Sequence, residues 1–312
     1  MPRTLEEKLT AIATHFALGP IMDFERTGGT NDNYLVSTPS GGYLFKMIVN
    51  SPLQEVLDGL PFLQRLQEYQ FTASAYYLSA PDGSQFYHSP DCDAVVLTRL
   101  PGSMPQPSQV VSRAIGAQLA RLHLIPGQNL PAKPHWLDAS YLTRCLQSAV
   151  QLYGPDRLQQ TLRIVHSLSD FRPETFPQSI VHGDLDTTNC LFDGDRLVAF
   201  VDWQEIGVGA AIMDFAMTVL GFCFVDAPEG SDLWACFDPE LFQALFSGYQ
   251  SVRLFSDYEL AHLDAAFTHT GLTQPLWTML NWEQYHPGEK MVETNLLYWK
   301  YGLPDIRLSS LI

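Results

Sequence analysis

The stretch His182-Gly183-Asp184-Leu185-Asp186-Thr187-Thr188-Asn189-Cys190-Leu191-Phe192-Asp193-Gly194-Asp195-Arg196-Leu197-Val198-Ala199-Phe200-Val201-Asp202 interleaves acids with short apolar runs. Cys190 to Phe192 and Leu197 to Val201 read as the two strands of a hairpin. Asp193-Gly194 between them tolerates the positive φ angles of a tight turn. Such a hairpin places Asn189 at its start and Asp202 at its end, so two oxygen donors converge beside Asp184 and can share one cation. Phosphoryl transfer asks for this layout: a residue that aims the attacking hydroxyl, hard oxygen ligands for a metal, and little covalent chemistry besides. Asp184 is the candidate base, and Asn189 and Asp202 are the candidate Mg2+ ligands, with water and phosphate oxygens completing the octahedron. Asp and Asn are common turn formers, and a single one would carry no weight. Three at these offsets, between apolar strands, do.

The 312-residue chain is 46% hydrophobic and 17% charged, the composition of a folded protein with a substantial core. With 34 acidic against 18 basic residues the formal charge is -16, which disfavours a nucleic-acid partner and suits a cationic or zwitterionic small molecule. The same charge also serves solubility. Five cysteines without Cys-x-x-Cys spacing signal neither a disulfide framework nor a zinc site. The opening residues lack the apolar core of a secretory signal, and the longest apolar run, Phe215 to Val225, is too short to span a bilayer. A cytoplasmic protein without a membrane partner is expected, its oligomeric state open.

Taken in order, Thr4 with Glu7 predicts a capping box, followed by Leu5, Leu9, Ile12 and Phe16 at helical spacing. A glycine-containing loop, Gly28-Gly29-Thr30-Asn31, then opens a strand–turn–strand from Tyr34 to Val49, and its backbone N–H groups are candidates for phosphate contact. An ordinary glycine turn is the competing reading. Lys46 lies inside the second strand, and in a kinase such a lysine clamps phosphates and is held by an acid on the next helix. Glu55 is the preferred acid. A strand at 93–100 ends in a Pro- and Gly-rich break, the best lobe boundary in the chain. Beyond it come helices, with His123 closing the one that Ser108 caps. After Asp202 a glycine-punctuated loop leads to Asp214 ahead of an apolar helix, and the remaining chain reads as helical and aromatic.

Val181 to Phe192, Val201-Asp202-Trp203 and Met213-Asp214-Phe215-Ala216 together resemble the aminoglycoside phosphotransferase and choline kinase-like superfamily. That resemblance implies an α+β, two-lobed protein-kinase-like fold: a small N-terminal antiparallel-sheet lobe over 1–99 that binds the nucleotide, and a larger, mainly helical lobe over 100–312. It implies ATP and Mg2+ as cofactors, Asp184 as base, Asn189 and Asp202 on the metal, and Asp214 bracing the catalytic loop. His182 reads as a packed histidine fixing that loop. Leu60-Pro61-Phe62 and Gly248-Tyr249-Gln250-Ser251-Val252-Arg253 look like type II homoserine kinases. Two departures stand out: Gln204 to Gly209 lacks the aromatic run of those kinases, and Gly59 falls where the superfamily carries the acid partner of Lys46.

An enzyme that phosphorylates a hydroxyl of a small amine-bearing metabolite is the expectation, with homoserine first and choline, ethanolamine or an aminoglycoside as alternatives. Asp186 and Glu205 are the candidate residues for the cationic group. Arg253 or Arg307 would meet the homoserine carboxylate, whereas Trp277, Trp282, Tyr285, Tyr298, Trp299 and Tyr301 could cage a choline ammonium. A non-catalytic nucleotide-binding protein would have lost the base or the metal ligands, and none is lost. The absence of an Ala-Pro-Glu segment disfavours a protein kinase.

Overall fold

The computed structural model describes residues 3–28, 32–49, 52–133, 135–138, 140–285 and 297–312. Helix α1 (Leu5–His15) starts at the reciprocal cap the sequence predicts: Thr4 Oγ1 accepts from the Glu7 amide while Glu7 accepts from the Thr4 amide. Its apolar stripe, Leu9, Ile12 and Ala13, continues through Phe16 onto one face of an antiparallel sheet. The sheet comprises β1 (Asp23–Thr27), β2 (Asp32–Thr38), β3 (Gly41–Met47), β4 (Tyr87–Ser89) and β5 (Cys92–Thr98), in the order β1-β2-β3-β5-β4. Period-two alternation buries Tyr43, Phe45 and Met47 of β3 under α1. Lys46 therefore points to the opposite face, into the cleft between the lobes, and its side chain is only 12% exposed.

Helix α2 (Leu53–Glu68) follows β3, but its Phe62, Leu63 and Leu66 belong to the core of the large lobe, not to that of the sheet. The large lobe contains α3 (Gln109–His123), α4 (Tyr141–Tyr153), α5 (Gln159–Ser167), α6 (Ala211–Phe222), α7 (Pro239–Gln250), α8 (Asp257–Ala261), α9 (Leu263–Tyr285) and α10 (Leu297–Lys300). Three two-stranded sheets complete it. β6 (Gln178–Val181) pairs with β9 (Gly207–Ala210), β7 (Cys190–Asp193) with β8 (Arg196–Phe200), and β10 (Phe224–Asp226) with β11 (Ala235–Phe237). Several of these strands depart from the sequence reading, which makes 207–210 a loop, the β10–β11 hairpin part of a helical region, and the residues of β1 no strand. Asp214 lies in the first turn of α6, not ahead of it. Among the described residues no helix is long and apolar enough to cross a membrane.

Two helices make the tightest contact of the large lobe. A Cβ on Gly116 of α3 would come within 2.0 Å of the Leu245 carbonyl oxygen, and one on Gly248 of α7 within 2.1 Å of the Arg113 carbonyl oxygen. The backbones of α3 and α7 touch at both positions, and Phe215 of α6 packs edge-on against Tyr249 of α7 at 5.1 Å. Alanine at an uncrowded helix position would stabilise by about 1 kcal/mol relative to glycine. Gly248→Ala is instead expected to destabilise by roughly 1–3 kcal/mol, because the helices must part. Urea denaturation tests this, and a midpoint that is unchanged or raised would contradict the contact.

Candidate active site

The catalytic loop leaves β6 through His182, a buried residue that ties two segments together. Its Nε2–H donates to the Val201 carbonyl at 3.0 Å, and its Nδ1 accepts from the Asp184 amide at 3.4 Å. The imidazole packs on Trp203 with ring centroids 4.5 Å apart, and burial depresses its pKa so that it stays neutral. Gly183 has φ +87°, and a Cβ there would lie 2.6 Å from the Glu205 carbonyl oxygen, so glycine is required on both counts.

Beneath this loop lies Asp214, wholly buried. Its Oδ2 accepts from the His182 amide at 2.8 Å and from His123 Nε2 at 3.0 Å, and its Oδ1 from the Gly183 amide at 2.9 Å. Burial alone would raise its pKa, but these bonds outweigh burial and hold the carboxyl below its ordinary range. His123 is kept neutral by burial.

Asp184 follows directly, and the Asn189 amide reaches back to it, Nδ2 donating to the Asp184 carbonyl at 2.6 Å and to Oδ2 at 3.3 Å. With its side-chain nitrogen so engaged, Asn189 keeps its side-chain oxygen Oδ1 as an acceptor. The Val201 amide donates to the Asn189 backbone carbonyl at 2.9 Å, which closes the hairpin base and brings Asp202 alongside. Asp202 adopts a left-handed conformation (φ 57°, ψ 62°), rare for a residue other than glycine. Its Oδ1 accepts from Lys46 Nζ at 2.6 Å.

This ion pair corrects one expectation. Lys46 is held by Asp202 and not by Glu55, and the position expected to carry the family acid, Gly59, is buried beside Ile206. The charges of Glu55 and Asp58 act on Lys133, which the sequence does not single out. Lys133 Nζ donates to the Gln204 carbonyl at 2.7 Å, and burial lowers its pKa against the pull of Glu205, Glu55 and Asp58. His135, also overlooked, donates from Nε2 to the Val208 carbonyl at 2.9 Å, lying where Gly207 and Gly209 leave room for its ring. Those two glycines were the available signal. Asp186 holds the loop through Oδ1, which accepts from the Thr188 amide and hydroxyl and from the Asn189 amide. Of the glycine loop, Gly28 accepts from Asn33 Nδ2 through its carbonyl at 3.0 Å. Gly29, Thr30 and Asn31 lie outside the described residues.

A cavity of about 210 Å³ opens beside Asp184, bounded by Asp186, Met217, Gln274, Pro275 and Tyr301 among others. Burial and the charges of Asp186, Glu205 and Asp202 push the Asp184 pKa up to about 7. Burial also raises that of Glu205, against the attraction of Lys133. Among the described residues no cluster of three His, Cys, Asp or Glu could hold a metal alone. The side-chain oxygen of Asn189 and the Asp202 carboxylate fit a hard divalent cation that draws its remaining ligands from water and phosphate, and the crowded acids favour such a charge. When bound, a cation of this kind neutralises charge that develops on the transferred group.

A family model, the phosphotransferase enzyme family, matches residues 26–255. The chain belongs to that family. It is an ATP-dependent phosphotransferase with a hydroxyl group as acceptor. Homoserine kinase from Methylobacterium nodulans is 24% identical over 295 residues, covering 91% of this chain and 88% of the relative. The structure of spectinomycin phosphotransferase with ADP and spectinomycin aligns at a TM-score of 0.64 with 14% identity, over 100% of this chain and 98% of that one. A microcompartment-associated aminopropanol kinase aligns at 0.61 with 16% identity, over 91% and 90%. Both structures share the two-lobed α+β fold.

A base that acts ionised is lost on protonation, so kcat/KM for transfer should fall about tenfold per pH unit below about 7. Glu205→Gln removes a like charge and should carry this acid limb to lower pH. Rate profiles of the two proteins check it; a limb that does not move would show that Asp184 does not set it.

Proposed function

We propose that the protein, with Mg2+, transfers the γ-phosphate of ATP to the hydroxyl of a small amine-bearing alcohol, homoserine being the first candidate. One observation carries the proposal. Asp184 lines the 210 Å³ cavity and is bonded by Asn189 Nδ2, whose hairpin brings in Asp202 with Lys46 paired to it. In this reading residues 1–99 hold the nucleotide and 100–312 hold the acceptor. Asp184 orients the hydroxyl and takes its proton as the oxygen meets the γ-phosphorus. Lys46 clamps the non-transferred phosphates, and Asn189 and Asp202 would hold the metal. A base with pKa near 7 can take up that proton at neutral pH.

Two features support a compact amine as acceptor. The cavity is smaller than the roughly 300–1,000 Å³ sites of drug-sized ligands, which argues against an aminoglycoside. Its described lining carries Asp184 and Asp186 and no basic side chain. Homoserine kinase relatives that align along most of the chain favour homoserine.

A second reading, an amino alcohol without a carboxylate such as ethanolamine or aminopropanol, is favoured by the arginines. Arg253 is bound to Tyr249 and Glu259 in the interior. Arg307 lines a separate depression and donates to the carbonyls of Pro304 and Ile306. Neither is available to a carboxylate in the cavity. Choline is less suited: of the aromatics singled out in the sequence, Tyr301 alone lines the described cavity, and Trp277 is packed on Trp136 at 5.3 Å.

Homoserine, ethanolamine, aminopropanol, choline and an aminoglycoside should be compared with coupled detection of ADP. One of the first three is expected to stimulate ADP release. Asp184→Asn should then lower kcat by on the order of 10²–10⁴-fold. No stimulation by any amino alcohol would reject the substrate class. Full turnover in Asp184→Asn would reject the base and favour a binding protein.

A further inference from the structure

We infer that Tyr249 and Arg253 are positioning residues for phosphoryl transfer, acting on the catalytic-loop backbone through His123 and Asp214. Of Gly248-Tyr249-Gln250-Ser251-Val252-Arg253 the sequence offers only Arg253 a task, as a partner for an acceptor carboxylate, and the cavity beside Asp184 is not lined by Tyr249 or Arg253. What the structure provides is a continuous buried chain of donors. Arg253 Nη1 donates to the Tyr249 hydroxyl oxygen at 3.1 Å. The Tyr249 hydroxyl and His123 Nδ1 lie 2.7 Å apart, and His123 Nε2 and Asp214 Oδ2 3.0 Å apart.

The tautomer follows from the two ends. An ionised Asp214 can only accept, so His123 Nε2 carries the proton, Nδ1 is the acceptor, and Tyr249 must donate to it. Every donor in the chain then points toward Asp214, an arrangement in which each bond polarises the next. Arg253 is fixed at the far end by Glu259, 1% exposed, at 2.8 Å. Glu259 in turn closes the capping box on Ser256 at the start of α8.

The near end makes this more than a packing device. Asp214 delivers the chain to the amides of His182 and Gly183, the two residues immediately before Asp184. Gly183 has no side chain to hold it and a backbone conformation open to glycine, so these two amide bonds set where Asp184 begins. A catalytic group displaced by a fraction of an ångström loses rate without losing substrate affinity. The tyrosine hydroxyl therefore acts on kcat, whereas its ring, stacked on Phe255 at 4.4 Å, acts on stability.

The test uses the full-length protein and Mg-ATP hydrolysis without added acceptor, so it does not depend on which alcohol is the substrate. Tyr249→Phe keeps the ring and removes the hydroxyl. It should lower kcat about tenfold, leave KM for ATP within about twofold, and speed hydrogen exchange at the His182 and Gly183 amides. Arg253→Lys, which retains a donor, should stay near wild type in both readouts. Phe246→Leu, a change at a half-buried neighbour on α7 that removes none of the hydrogen bonds of the chain, should lower the unfolding midpoint with kcat and exchange unchanged. Wild-type kcat and exchange in Tyr249→Phe, or an equal loss of kcat in Phe246→Leu, would overturn the inference. If the protein hydrolyses no ATP, exchange alone decides, and unchanged exchange in Tyr249→Phe overturns it.

Discussion

Withdrawing a carboxylate from water costs several kcal/mol unless its oxygens are matched by donors, and Asp214 meets that condition with two backbone amides and a histidine. The rest of the site depends on this match. The amides belong to the catalytic loop, the histidine to α3, and the carboxylate to the first turn of α6, where the helix dipole also favours a negative charge. Three segments distant in sequence are thereby locked at one point. His182 extends the lock by bonding the carbonyl just before Asp202, so the proposed base and the candidate metal ligand are referenced to the same buried frame.

The electrostatics on the solvent side of that frame are lopsided. Asp184, Asp186, Asp202 and Glu205 crowd one small volume, and the nearby cations are Lys46, paired with Asp202, and Lys133, which faces Glu205. The elevated pKa of Asp184 expresses this imbalance. In the proposed reaction the imbalance is useful, because an ammonium on the acceptor and a divalent cation on the phosphates both enter a region that already lacks positive charge.

Much of this was legible in the sequence because its determinants are local. The hairpin follows from Asp193-Gly194 between two apolar runs, and the first helix from Thr4 and Glu7. Less legible were features decided by contacts between distant segments. Lys46 and Asp202 are separated by 156 positions, and no periodicity could prefer that partner over Glu55. Residues 207–210 read as loop because of their glycines, which in fact admit the ring of His135 beside a strand paired to β6. Arg253 invited assignment to a substrate because an arginine late in a chain is ordinarily exposed; the buried Glu259 that claims it is visible only in three dimensions.

The seating of α2 bears on how the cleft can breathe. Although the helix follows the sheet in sequence, it anchors Phe62, Leu63 and Leu66 in the large lobe's core. Pulling it away with the sheet would expose all three to water, on the order of 5 kcal/mol of apolar surface. A hinge between the lobes therefore has its cheap axis on the sheet side of the helix. Lys46, carried on β3, can move with the sheet while α2 stays behind as part of the floor.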